Sequence, residues 1–213
     1  MLTRKDSYKQ TDAKFALLGA RDVGKSAIAV RFLTKRFIGE YDSSQDSTYQ
    51  FTTTIDDDQV SLEILDPGPE SVGEQSVGSR ALWADGLMLV YSITDRKSFE
   101  DVQGLMNLID PFKQKTVVTI VGNKTDLEHE RQVSEGEGAT LAEKLRCSFF
   151  ECSASEGYQK MAEAFHELYR EVIKTKKDRK TSLSPRPLRA LGKILRRNSS
   201  KSLLLTPPGT LST

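Results

Sequence analysis

The sequence predicts an α/β fold, a mostly parallel sheet flanked by helices on both faces. Three observations carry that prediction. Short apolar runs alternate with stretches striped at helical spacing from residue 14 to about residue 175. Two of the runs, LMLVYSI (87–93) and TVVTIVG (116–122), are apolar almost throughout, as strands buried on both faces are. One pair of β-rich runs is separated only by DDDQ, which suits an antiparallel hairpin.

The elements follow in order. KFALLG (14–19) is a buried strand ending in glycine, and KSAIAVRFLTKRF (25–37) is a helix that follows at once. QFTTTI (50–55) and VSLEIL (60–65) form the hairpin. LMLVYSI and TVVTIVG are strands with a helix between them, opening near Thr94–Ser98 and stopping at Pro111. Ser134 and Glu137 form a capping box, S-x-x-E, that opens the next helix through Arg146. SFFECSA (148–154) is the last strand, and Met161, Phe165, Leu168 and Val172 stripe a final helix. From about residue 176 the Ser, Pro, Lys and Arg content predicts a mostly disordered tail. The organisation expected is an extension over 1–12, one domain over 13–175 and a basic tail over 176–213.

Composition narrows the class. The chain has 213 residues, 37% hydrophobic and 29% charged, and no apolar run reaches membrane-spanning length. MLTRKDSYKQTD has no apolar core for a signal peptide, and Leu2 does not suit myristoylation. The two cysteines, Cys147 and Cys152, suit a reducing cytosol better than a disulfide framework or a metal site. Residues 1–169 hold 19 Lys and Arg against 28 Asp and Glu, whereas residues 170–213 hold 12 against 2. An acidic globule with a basic tail points to an anionic partner for the tail.

The chemistry lies in two motifs. GARDVGKS (19–26) matches G-x-x-x-x-G-K-[ST] between a strand and a helix, where a phosphate-binding loop belongs. Its glycines let backbone N–H groups curl around phosphate oxygens, Lys25 reaches the β- and γ-phosphates, and the Ser26 hydroxyl ligates Mg²⁺. NKTD (123–126) follows a buried strand, so it sits at the carboxyl edge of the sheet where ligands bind. The Asp126 carboxylate accepts two hydrogen bonds from guanine's N1–H and exocyclic amine, a pair adenine does not offer. Asn123 ties this loop to the phosphate loop, and the Lys124 stem covers the base. SAS (153–155) ends the last strand, with the Ala154 N–H placed to donate to guanine O6. Alone, N-K-x-D is commonly a surface turn; about 100 residues after such a loop it reads as the base site.

GARDVGKSAIAVRFLTKRFIGEYD, WADGLMLVYSITDRKSFE, VGNKTDL and ECSA together resemble the Ras superfamily of small GTPases. Within it they are similar to the branch of the oestrogen-regulated growth inhibitor and its relatives. The resemblance covers about residues 13–175. It implies a six-stranded sheet with one antiparallel edge hairpin, GTP and GDP as ligands, and Mg²⁺ as cofactor. It implies a nucleotide site comprising Gly19, Ala20, Arg21, Asp22, Val23, Gly24, Lys25, Ser26, Ala27, Phe37, Asp66, Gly68, Asn123, Lys124, Asp126, Leu127, Ser153, Ala154 and Ser155. Phe37 packs on the guanine edge, Tyr41 and Asp42 begin switch I, and Ser44 takes the place of the switch I threonine as a metal ligand. Ser43, Ser47 and Thr48 are alternatives nearby. SSQDSTY (43–49) departs from the Ras effector segment, so partners are not carried over.

The strongest departure is LDPGPE (65–70), where the Ras pattern reads aspartate, threonine, alanine, glycine, glutamine. Asp66 keeps the carboxylate on the Mg²⁺ side, acting through water. Pro69 falls where a glycine N–H donates to the γ-phosphate, and Glu70 falls where a glutamine orients the attacking water. With a one-residue gap, Gly68 becomes the donor and Pro69 takes the glutamine's place. Arg21 and Asp22 replace glycines of the Ras loop, and the Arg21 side chain would crowd the transferring phosphoryl. Lys25 and a degenerate Glu70 are the catalytic candidates. The function expected is a small monomeric GTPase with slow hydrolysis, acting as a signalling switch. The alternative is a scaffold that holds its nucleotide without meaningful turnover. A nucleoside kinase would leave NKTD unexplained.

The chain ends TPPGTLST and its last cysteine is Cys152, so no prenylated cysteine box is expected. PRPLRALGKILRRNSSK (185–201) offers another device. On a helical projection Leu188, Leu191, Ile194 and Leu195 fall within about 120°, opposite Arg186, Arg189, Lys193, Arg196 and Arg197. Such a segment suits reversible contact with an anionic membrane or a calmodulin-like acidic groove. No nucleic-acid partner is expected. The location expected is cytoplasmic, with peripheral membrane or nuclear association through the tail.

Overall fold

The computed structural model describes residues 12–38, 45–68, 74–112 and 116–182. The strands are β1 (Ala13–Leu18), β2 (Ser47–Ile55), β3 (Asp58–Asp66), β4 (Gly86–Ser92), β5 (Val117–Asn123) and β6 (Ser148–Glu151). The helices are α1 (Lys25–Thr34), α2 (Glu74–Trp83), α3 (Arg96–Ile109), α4 (Glu135–Leu145) and α5 (Tyr158–Ser182). The sheet order is β2-β3-β1-β4-β5-β6, and every neighbouring pair is parallel except β2 with β3. This is the expected α/β architecture, with the hairpin at one edge.

The two faces of the sheet carry separate cores. On one, Ile28 and Phe32 of α1 meet Met161, Phe165, Leu168 and Val172 of α5 over Phe15, Leu62, Ile64 and Val90. Phe32 stacks on Phe165 with ring centroids 4.0 Å apart, tying the first helix to the last. On the other, Val77 and Ala81 of α2, Val102, Leu105 and Ile109 of α3, and Ala142 of α4 cover Leu87, Leu89 and Ile120. β4 is buried along its whole length, which is why its sequence shows no alternation.

Local chemistry sets the ends. The hairpin turns through Asp56 (φ 51°) and Asp57 (φ 66°), two residues of the type that tolerates left-handed backbone. The strands therefore run closer to the turn than DDDQ suggests. α1 stops at Thr34, short of the expected residue 37, because Lys35 caps it with φ 60°. The Asp95 carboxylate caps α3 by accepting from the N–H groups of Lys97 and Ser98. Pro111 falls in a 3-10 turn, Asp110–Phe112, after α3 has ended. α4 opens on the predicted capping box, with Ser134 and Glu137 bonded reciprocally. Cys147 and Cys152 are free thiols, and burial pushes the Cys152 thiol up to about 12.

The chain divides after Lys177. The sheet belongs to the first unit, and the described residues of the second, 178–182, are helical. α5 thus continues past residue 176, where composition placed the start of the tail. Its Lys and Arg residues there are good helix formers and suit the negative end of the helix dipole. No helix among the described residues is long and apolar enough to cross a membrane. Tyr41, Asp42, Ser43, Ser44, Pro69, Glu70, residues 1–11 and the segment 185–201 lie outside the described residues.

Candidate nucleotide site at the carboxyl edge of the sheet

The loop between β1 and α1 is shaped by two glycines. Gly19 has φ 152°, and a Cβ there would lie 2.1 Å from the Val90 carbonyl oxygen of β4. Gly24 has φ 95°, and a Cβ there would lie 2.3 Å from Asn123 Nδ2. A side chain at Gly19 would have to move the β4 backbone, and one at Gly24 would displace the Asn123 amide. Val23 anchors the loop in the core, and Ala20 and Ala27 pack at its margin. The Lys25 ammonium donates to the carbonyls of Gly19 (3.1 Å) and Ala20 (2.7 Å), lying back along the loop. Burial lowers the Lys25 pKa, opposed by the charges of Asp66 and Asp22. A phosphate would supply the counter-charge that such an ammonium favours.

Asp22 takes the left-handed backbone that glycine usually fills, with φ 60°. The Arg21 and Asp22 side chains are 79% and 88% exposed, 3.7 Å apart. Arg21 therefore reaches outward to its neighbour here, whereas the sequence suggested that it crowds the phosphoryl position. The ion pair itself is of the exposed kind that contributes little.

Asp66 ends β3 beside this loop and is buried. Burial raises its carboxyl pKa, while a hydrogen bond with Ser26 and the Lys25 charge work the other way. Its Oδ1 is buried and accepts no hydrogen bond among the described residues. A hydroxyl touching a carboxylate with an orphaned oxygen is a donor set that suits a hard divalent cation such as Mg²⁺. When bound, that ion would neutralise charge on the polyphosphate. Gly68 is also buried; its N–H donates to Asp46 Oδ1 at 2.8 Å, and a Cβ there would lie 2.9 Å from the Gln45 carbonyl carbon.

The base side is built around Asn123, the last residue of β5. Its Nδ2 donates to the Val23 carbonyl (2.8 Å), and its Oδ1 accepts from the Ala154 N–H (3.1 Å). The Ala154 N–H, expected to face guanine O6, is thus taken by Asn123. The cause is local: the loop after β6 folds onto a buried amide whose oxygen needs a donor. Lys124 adopts φ 71°, and the Leu127 N–H donates to its carbonyl (2.9 Å), which turns the chain back. Asp126 Oδ1 accepts from Ser153 Oγ at 2.5 Å, and Ser153 and Ser155 Oγ lie 2.9 Å apart. Desolvation works to raise Asp126, but the Ser153 and Ser155 hydrogen bonds outweigh it and hold the carboxyl below its usual range. Asp126 is therefore an anion at neutral pH, fit to accept a pair of N–H donors. Phe37 lies just beyond α1 and is 48% exposed, available to pack on a planar ligand.

One supporting residue escaped the sequence. The Arg131 guanidinium bonds Glu151 at 2.8 and 2.9 Å, Glu128 at 2.9 Å, and the Val133 carbonyl at 2.8 Å. It fastens the loop after Asp126 to the end of β6, so the two halves of the base site are held in register. No motif announces it, since Arg131 and Glu151 are twenty residues apart.

Residues 14–174 match the Ras family. The chain belongs to the Ras family. The "Ras-related and estrogen-regulated growth inhibitor" of Homo sapiens is 47% identical over 198 residues, covering 90% of this chain and 99% of that protein. "Ras-like protein family member 11A" of Rattus norvegicus is 43% identical over 189 residues, covering 83% of this chain and 78% of the relative. "Ras-like protein family member 11B" of Homo sapiens is 40% identical over 188 residues, with 82% and 76% covered. This Ras-family chain is accordingly a GTP-binding protein of the small-GTPase class and, at the level of the family, a GTP hydrolase in signalling. Ras-family proteins bind GTP and GDP, generally with Mg²⁺.

Proposed function

We propose that this chain is a guanine-nucleotide switch with a degraded switch II, which hydrolyses GTP slowly. The observation that carries the reading is the run Asp66-Pro67-Gly68-Pro69-Glu70. Proline has no N–H to offer a γ-phosphate, and a carboxylate at the glutamine's place cannot donate to the transition state and repels the polyphosphate. Positioning the water and stabilising developing charge supply most of the catalysis in phosphoryl transfer. In this reading Lys25 holds the β- and γ-phosphates, Ser26, Ser44 and Asp66 serve the metal, and Asp126 selects guanine. Phe37, Lys124, Leu127 and Ala154 enclose the base. A scaffold without turnover is the second reading; the engagement of the Gly68 N–H by Asp46 favours it.

Single-turnover hydrolysis tests this. Pro69→Gly, alone and with Glu70→Gln, should raise the rate, the pair about tenfold or more, because one donor to developing charge is worth on the order of 10²-fold. An unchanged rate in all variants would sink the degraded-switch reading.

The basic tail gives the protein a reversible hold on an anionic surface. Five positive charges opposite an apolar stripe are worth about 1 kcal/mol each near such a surface, enough for binding that salt reverses. RRNS (196–199) resembles a basophilic kinase site, and phosphate on Ser199 would weaken the hold. The full chain should co-sediment with anionic vesicles at low salt, less at high salt, and not with neutral vesicles. No anionic binding at low salt would dispose of the membrane reading, leaving an acidic groove or nuclear import for this segment.

A further inference from the structure

The switch regions hold an ion pair that no motif predicts. Asp46, immediately before β2, accepts the Gly68 N–H on Oδ1 at 2.8 Å. The same carboxylate accepts from Arg80 Nη2 of α2, at 2.9 Å to Oδ2 and 3.2 Å to Oδ1. Arg80 also donates through Nη1 to Ser76 Oγ at 2.8 Å. The Arg80 side chain is 7% exposed and that of Asp46 is 45% exposed. Asp66 and Arg80 are both buried. Asp66 lies at the candidate metal position, and Arg80 lies close enough to act on Lys25. Asp46 in turn acts on Asp66.

A buried guanidinium beside a backbone N–H is an anion site. Here the anion is Asp46. Of Pro67, Gly68 and Pro69, only Gly68 has an N–H at all, so this stretch has a single backbone donor. Asp46 therefore occupies the one backbone donor of this stretch, with the Arg80 guanidinium of α2 beside it. A diphosphate makes no demand on them. The geometry points to Asp46 as a determinant of diphosphate over triphosphate preference: its carboxylate occupies, within the protein, the donors that a γ-phosphate would need. The inference rests on the guanine-nucleotide reading of the site. A triphosphate must displace the carboxylate from Gly68 and Arg80 and then tolerate it nearby, whereas GDP leaves the pair intact. The preference follows from this competition, with no change in the contacts to base or ribose.

The test is equilibrium binding of GDP and of a non-hydrolysable β,γ-imido GTP analogue to the full chain with Mg²⁺. Wild type should bind the analogue about tenfold more weakly than GDP, the scale of one like-charge contact. Asp46→Asn keeps an oxygen to accept from Gly68 but drops the charge, and Asp46→Ala removes both acceptors. Each should improve the analogue-to-GDP affinity ratio about tenfold, the same contact now relieved. Arg80→Met loses the guanidinium along with the pair and should show no such gain. Circular dichroism checks that each variant is folded. Wild type that binds both nucleotides equally, or Asp46 variants that weaken both alike and leave the ratio unchanged, would overturn the inference and make the pair a structural tie. Wild type that holds neither nucleotide would overturn the guanine-nucleotide reading, and this inference with it.

Discussion

Asn123 joins three segments that are far apart in the chain. Its amide holds the Val23 carbonyl of the phosphate loop and the Ala154 N–H of the base loop, and Gly24 lies against it with no room for a Cβ. Such residues are legible because their motifs are short: backbone conformation and ligand contact fall within eight residues for the phosphate loop and four for NKTD. Arg131–Glu151 and Asp46–Arg80 were not legible. Their partners stand 20 and 34 residues apart, with no periodicity to link them. The Asp126 carboxylate yields the prediction at this scale. Two serine hydroxyls bond the carboxylate and hold its pKa below the usual range, which suits an acceptor for a pair of N–H donors. Asp126→Asn should weaken GDP binding by about 2 kcal/mol, roughly thirtyfold, and shift preference toward xanthine, whose C2 oxygen suits an amide. A titration of the purified variant with GDP and XDP checks this; unchanged GDP affinity would remove Asp126 from the base site.

Helices with a strong apolar stripe or a side-chain cap were legible, and α2 was not. Glu74–Trp83 buries only Val77, Arg80 and Ala81, and it contains Gly78 and two serines, so neither propensity nor periodicity marks it. A buried arginine within it reads as a break in the pattern. Backbone left-handedness at Lys35, which shortens α1, leaves no signature either, because lysine has no preference for it. The capping box of α4 is the opposite case, since Ser134 and Glu137 satisfy each other's backbone. The Glu137 carboxyl is held down to about 2, first by the Arg96 hydrogen bond and then by Ser134. A carboxyl lowered in the folded state contributes stability above its unfolded value, and that contribution is lost as pH falls through the folded one. The window here runs from about 4.5 down to about 2. Thermal melts across it should show a steeper loss for wild type than for Glu137→Gln, which keeps a hydrogen-bonding end group but does not titrate. Parallel loss in both would mean that the Arg96–Glu137 pair adds nothing to the fold.

At the scale of the molecule, strand order makes the site. With β1 at the centre of β2-β3-β1-β4-β5-β6, the phosphate loop after β1 lies between Asp66 at the end of β3 and Asn123 at the end of β5. Alternating strands and helices predicted the parallel sheet, and the hairpin predicted its one antiparallel pair. The order of strands is a property of crossovers that no local pattern encodes, and the family resemblance implied only six strands with the hairpin at an edge. The departures at Pro69 and Glu70 stand out against a G-x-x-x-x-G-K-S loop and an N-K-x-D motif that are intact, and they carry the central claim. The measurement that tests it most directly is the single-turnover rate of GTP hydrolysis by the wild-type chain with Mg²⁺. The account predicts a rate at or below the order of 10⁻⁴ s⁻¹, the intrinsic scale for Ras. A rate of about 10⁻² s⁻¹ or more, as when a catalytic arginine is supplied in cis, would contradict it.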